Sequence, residues 1–152
     1  MVLSFVGNLQ HQCGRRQIKP IEPRVQSRVV AGYEVYPPHS QPWIVAFANS
    51  SRKFASCGGT LIHPKFVISA MHCFDSLSSV VLRSIAVLGL HDKANPGEDV
   101  QWINIKNRYP DPRIDFSKEK YWLSYDMVMQ ELEKSAKLGD AYPNVAMECL
   151  GE

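Results

Sequence analysis

The residues whose types and spacing could do chemistry are concentrated between positions 56 and 73. The segment Ser56-Cys57-Gly58-Gly59-Thr60-Leu61-Ile62-His63-Pro64-Lys65-Phe66-Val67-Ile68-Ser69-Ala70-Met71-His72-Cys73 reads as a β-hairpin with a cysteine near each end, turning at His63-Pro64. Cysteines sixteen positions apart on neighbouring strands can close a loop that removes about 3 kcal/mol of unfolded-state entropy. A histidine beside such a bridge is held rigidly, as a general base requires. Two other uses of the same side chains stand beside that one. His72 can be a plain structural neighbour of cysteine, or Cys57, His63, His72 and Cys73 can form a zinc site, with suitable ligand types but none of the standard spacings. The second candidate is Tyr125-Asp126-Met127-Val128-Met129-Gln130-Glu131-Leu132, where one acid opens an otherwise apolar run. That pattern puts Asp126 at a strand end, either as a turn residue or as an acid buried against a partner.

The elements that must position these residues are short apolar runs broken by turn signals. The run at 43–48 is short, β-branched and aromatic, and further short apolar runs follow at 56–62, 65–70, 80–88, 100–106 and 127–132. Asn95-Pro96-Gly97 separates two of them, and Tyr109-Pro110-Asp111-Pro112 opens a long polar loop. About six strands without βαβ alternation predict an all-β barrel or sandwich. The stretch Gln130-Glu131-Leu132-Glu133-Lys134-Ser135-Ala136-Lys137 holds strong helix formers, so a helix competes with the strand there. Residues 1–28 differ in texture: Arg15-Arg16-Gln17-Ile18-Lys19-Pro20-Ile21-Glu22-Pro23-Arg24 reads as an extended, exposed leader. The opening Met1-Val2-Leu3-Ser4-Phe5-Val6 is apolar for only six residues and lacks a basic start, as in a truncated secretory signal.

Composition narrows the class. The 152 residues are 45% hydrophobic and 21% charged, a globular rather than a disordered balance. A formal net charge of +2 gives no electrostatic case for a nucleic-acid partner, and no apolar run nears the roughly 18 residues that span a bilayer. The four cysteines, Cys13, Cys57, Cys73 and Cys149, contain no C-x-x-C pair and fit two disulfides in an oxidising compartment. Asn49-Ser50-Ser51 is an N-glycosylation sequon in a predicted surface turn.

Together these pieces resemble the trypsin/chymotrypsin-like serine endopeptidases. The family's C-G-G-[ST]-L-I, strand, A-A-H-C pattern is similar to Cys57-Gly58-Gly59-Thr60-Leu61-Ile62 followed by Ala70-Met71-His72-Cys73. Its mature N-terminus, I-V-G-G after a basic residue, resembles Arg28 before Val29-Val30-Ala31-Gly32, with Gln41-Pro42-Trp43 beyond. Its D-I-A-L-L-K-L resembles the run from Asp126 to Leu132. The resemblance implies a six-stranded antiparallel β-barrel over 29–152, the first half of a chymotrypsin-like double barrel, preceded by a leader at 1–28. It implies His72 as general base and Asp126 as the residue that orients it. It further implies activation cleavage between Arg28 and Val29, and disulfides Cys57–Cys73 and Cys13–Cys149, the latter tethering the leader.

The departures are specific. No G-D-S-G-G occurs, so the nucleophilic serine, oxyanion hole and substrate pocket of the family's second barrel are not in these residues. Met71 replaces the small neighbour of the histidine. Leu90 falls where relatives often carry a calcium-ligating Glu, and a hydrocarbon offers no oxygen ligand. No metal or cofactor is implied. Asp111 and Asp115 compete with Asp126 as the acid, and the apolar strand that follows favours Asp126. The expectation is a secreted zymogen whose partners are peptide or protein substrates, once a second barrel is present, and protease inhibitors. The chain alone is expected to be inactive. The rival is a non-enzymatic half-domain that binds or regulates.

Overall fold

The computed structural model describes residues 13–21, 36–74, 84–117 and 124–150. Six strands in it close into one antiparallel barrel: β1 (Ile44–Ala48), β2 (Phe54–His63), β3 (Phe66–Ser69), β4 (Ile85–Leu88), β5 (Gln101–Pro110) and β6 (Val128–Leu132), in the spatial order β1-β2-β3-β6-β5-β4. The ring closes where Val45 to Ala48 pair with the residues from Leu88 back to Ile85. Two strands are ten residues long, and their length makes closure possible. β5 gives its first half to β4 and its second half to β6, with the register shift between Ile105 and Asn107 marking the changeover. β2 serves β1 and β3 in the same way.

Alternation fills the interior. Val45, Phe47, Leu61, Val67, Ala86, Leu88, Ile103, Val128 and Leu132 are all buried in one cluster. Gly59 belongs to this inward row, and its lack of a side chain is required. A Cβ there would lie 2.8 Å from the Ile68 carbonyl oxygen, 2.7 Å from Val67 Cγ1 and 3.0 Å from Phe47 Cζ. The Phe47 ring occupies that space and meets Phe74 edge-on at 4.9 Å between centroids.

Outside the barrel wall, Glu131 pins the β5 changeover. Lys106 Nζ (3.2 Å), Asn107 Nδ2 (2.7 Å) and the Tyr109 hydroxyl (2.7 Å) all donate to it. These bonds hold its carboxyl at about 2, with those from Asn107 and Tyr109 contributing most.

Several sequence expectations are adjusted. β5 runs through Tyr109 to Pro110, so the polar loop begins at Asp111. The helical alternative for 130–137 is not adopted: the strand continues to Leu132, and the chain then turns without a helix. Gln130 and Leu132 are both fully buried, so ladder bonds and burial override intrinsic propensity. The run at 80–88 yields Ile85–Leu88, and its start lies outside the described residues. Sequence reading missed the short 3₁₀ helix Met71–Phe74.

Residues 13–21 lie along the barrel surface, mostly exposed. The Gly14 N–H donates to the Met147 carbonyl (2.7 Å), and the Ile21 N–H donates to that of Tyr36 (2.8 Å). The Arg16 guanidinium sits 4.6 Å from the Trp43 ring centroid. Among the described residues no helix is long and apolar enough to cross a membrane.

Candidate active site

His72 is presented by the 3₁₀ helix. Residues three apart share a face in such a helix, and here Met71 and Phe74 turn into the core while His72 faces out. The Met71 side chain therefore joins the core cluster, while the imidazole is exposed. Cys73, between His72 and Phe74, is bonded to Cys57 on β2. The helix is thus fastened covalently to the neighbouring strand and by packing to the core.

Asp126 reaches this helix from the residues just before β6. β3 pairs with β6 from Ser69↔Val128 to Phe66↔Glu131, which brings the end of β3 beside the start of β6. One carboxylate oxygen, Oδ1, accepts the His72 backbone N–H (2.8 Å). The other, Oδ2, lies 2.5 Å from His72 Nδ1. Desolvation pushes the Asp126 carboxyl up. Hydrogen bonds from the His72 ring and backbone, the imidazole charge and the Met71 backbone outweigh it and hold the group below its ordinary value. An ionised carboxylate only accepts, so the proton between them belongs to Nδ1. In the neutral imidazole the other ring nitrogen, Nε2, carries the lone pair. It lies 3.7 Å from Cys73 Sγ on a side chain that is 52% exposed. Chemically, this is a base with its tautomer fixed from behind.

The other acids are engaged elsewhere. Asp111 pairs with Arg113 through two bonds, from Nε to Oδ1 (2.9 Å) and from Nη2 to Oδ2 (2.7 Å). Asp115 accepts the Ser117 hydroxyl at 2.6 Å. His63 Nδ1 accepts the Lys65 N–H (3.1 Å) at the β2–β3 turn. Ligand atoms of Cys57, His72 and Cys73 do lie within 4.8 Å of one another. Both sulfurs are spent in a disulfide, however, and cysteine ligates zinc only as the thiolate.

Cys13 and Cys149 form the second disulfide. Asn49 sits in the β1–β2 turn, and its Oδ1 accepts the N–H groups of Ser51 (3.0 Å) and Lys53 (2.9 Å). Leu90 lines a cavity of about 220 Å³ with His39, Gln41 and His91. Arg28 and Val29 lie outside the described residues.

Comparison with known proteins follows the same lines. The sequence model of the trypsin family matches residues 30–151. Human kallikrein-2 is 34% identical over 125 residues, covering 78% of this chain and 44% of the relative. Horse kallikrein-1E2 is 31% identical over 126 residues, covering 78% and 45%. The chain therefore spans less than half the length of these relatives. Among solved structures, neuropsin, a serine protease expressed in the limbic system of mouse brain, superposes with a TM-score of 0.58. It is 27% identical and is matched over 72% of this chain and 43% of its own. A barrel of this order, closed behind a disulfide-fastened histidine, is what the family match leads one to expect, and the chain belongs to the trypsin family of serine proteases.

Proposed function

We propose that this chain is the leader (1–28) and first barrel (29–152) of a secreted serine endopeptidase made as a zymogen. One observation carries the reading: the His72–Asp126 pair, with Nδ1 at 2.5 Å from the carboxylate and Nε2 on a half-exposed ring. In the reaction, His72 Nε2 takes the proton of a serine hydroxyl as its oxygen attacks a peptide carbonyl. Asp126 keeps the ring oriented and stabilises the imidazolium. These residues contain no G-D-S-G-G, so the nucleophile and oxyanion hole come from a second barrel. The 152-residue chain by itself is inactive. Cleavage after Arg28 frees Val29, while Cys13–Cys149 keeps the leader attached. Two disulfides fit an oxidising, extracellular setting. Asn49 carries glycan on its turn. Substrates are proteins or peptides, and protease inhibitors are the natural antagonists.

The test is to read the transcript beyond Glu152 and express the whole frame. A continuation through G-D-S-G-G is expected. Its product should react with a serine-directed fluorophosphonate only after trypsin treatment. His72→Ala should lower kcat by about 10⁴-fold or more. A stop codon directly after Glu152, with no probe labelling, would overturn the reading in favour of a non-enzymatic half-domain.

A further inference from the structure

The residue before Asp126 is in an unfavourable conformation, and a cluster outside the His72–Asp126 pair holds it there. Tyr125 has φ of 60°, a left-handed value that a bulky side chain seldom adopts. The Met127 N–H donates to the Tyr125 carbonyl (2.6 Å), so Asp126 is the central residue of a three-residue turn. Left-handed Tyr125 and this turn together decide where the carboxylate points.

Three contacts oppose relaxation. The Arg113 guanidinium lies 4.1 Å from the Tyr125 ring centroid. Its fork is fixed by Asp111, which accepts both the Nε and Nη2 bonds and the Arg113 backbone N–H (2.9 Å). The Asp111 N–H in turn donates to the Met127 carbonyl (2.9 Å), on the far side of Asp126. Ile114, next to Arg113, is buried in the barrel core and anchors the loop. Asp126 is thus bracketed by a cluster with one rigid root.

We infer that Arg113, held by Asp111, is a positioning residue for the catalytic pair. It clamps the Tyr125 ring, keeps Tyr125 left-handed and so aims the Asp126 carboxylate at His72. This rests on the reading of His72 and Asp126 given above. Exposed ion pairs contribute little to stability, and the Arg113 side chain is 60% exposed. The effect therefore appears in geometry more than in unfolding. Lysine cannot substitute, because it lacks both the planar stack and the two-pronged bond.

The readout is the tautomer of His72, from ¹⁵N shifts of the labelled 152-residue chain at a pH where the ring is neutral. A free imidazole favours Nε2–H; the Asp126 contact favours Nδ1–H. Arg113→Gln and Tyr125→Ala should each lower the Nδ1–H to Nε2–H ratio by about tenfold. The double variant should go no further than either single change. Arg113→Lys should behave like Arg113→Gln, and Tyr125→Phe like the parent. A parental ratio in Arg113→Gln or Arg113→Lys, or additive effects in the double variant, would overturn the clamp. Asp126→Asn separates the two ideas. If it leaves the ratio unchanged, the orienting role of Asp126 fails; if it abolishes the Nδ1–H preference while Arg113→Gln does not, only the clamp fails.

Discussion

The two disulfides tie down opposite kinds of structure. Cys57–Cys73 joins β2 to a helix whose first and last residues are in the core, and it spans 16 positions. Cys13–Cys149 spans 136 positions and joins the mostly exposed stretch 13–21 to the exposed end of a C-terminal segment whose Val145 and Met147 are in the core. In the chain-entropy account, stabilisation grows with the logarithm of the loop, about 3 kcal/mol for the short bridge and about 5 kcal/mol for the long one. The less packed bridge thus constrains the unfolded chain more. The tightly packed one does what entropy cannot, fixing where an imidazole points. Stability and positioning are carried by different ends of the molecule.

The largest expected effect tests that division directly. Cys13→Ser with Cys149→Ser should lower the unfolding free energy of the uncut chain by about 3–5 kcal/mol, read from urea unfolding. The proposed trypsin cleavage at Arg28–Val29 would open the loop, so in the cut chain the same pair should cost much less. Under non-reducing conditions the cut leader should stay attached, and reduction should release it. An equal loss before and after cutting would mean that packing, not loop closure, is what this bridge supplies.

Cys57→Ala with Cys73→Ala should cost less, about 3 kcal/mol, but should disturb the site. The His72 ¹⁵N pattern should shift towards the Nε2–H tautomer, whereas the leader variants should leave it as it is. If both pairs of substitutions moved His72 alike, the division of labour would fail.

Acid gives the smallest effect. Glu131 is held at about 2 from an ordinary 4.5, and Asp111 at about 2 from 3.8. Both carboxyls are depressed in the folded state. Their contribution is therefore complete above the ordinary values and is lost as pH falls towards about 2. Amide exchange along β5 and β6 should quicken across that interval, while the Gly14 amide on Met147 stays protected. Glu131→Gln should flatten the pH dependence.

Much of this was legible in the residues. Short apolar runs broken by turn residues mark all six strands, most of them to within a few residues, because each strand must bury apolar side chains and then reverse direction. The spacing Cys57-Gly58-Gly59 to His72-Cys73 carries the site, since only glycine fits against Ile68 and Phe47 at position 59 and the cysteines flank the histidine. Three things depended on tertiary structure. The strand at Gln130 and Leu132 defeats its helical propensity only because β3 and β5 are there to bury both residues. The apolar strand after Asp126 favours it over Asp111 and Asp115 in sequence, but the pairing of Ser69 with Val128 is what brings its carboxylate to His72. The left-handed Tyr125 under Arg113 had no local signal, because tyrosine does not favour that conformation and only contacts from a distant loop hold it. Local runs and turn signals set where the strands lie. Which polar groups meet is a matter of register between strands far apart in the chain, and no short window of sequence contains it.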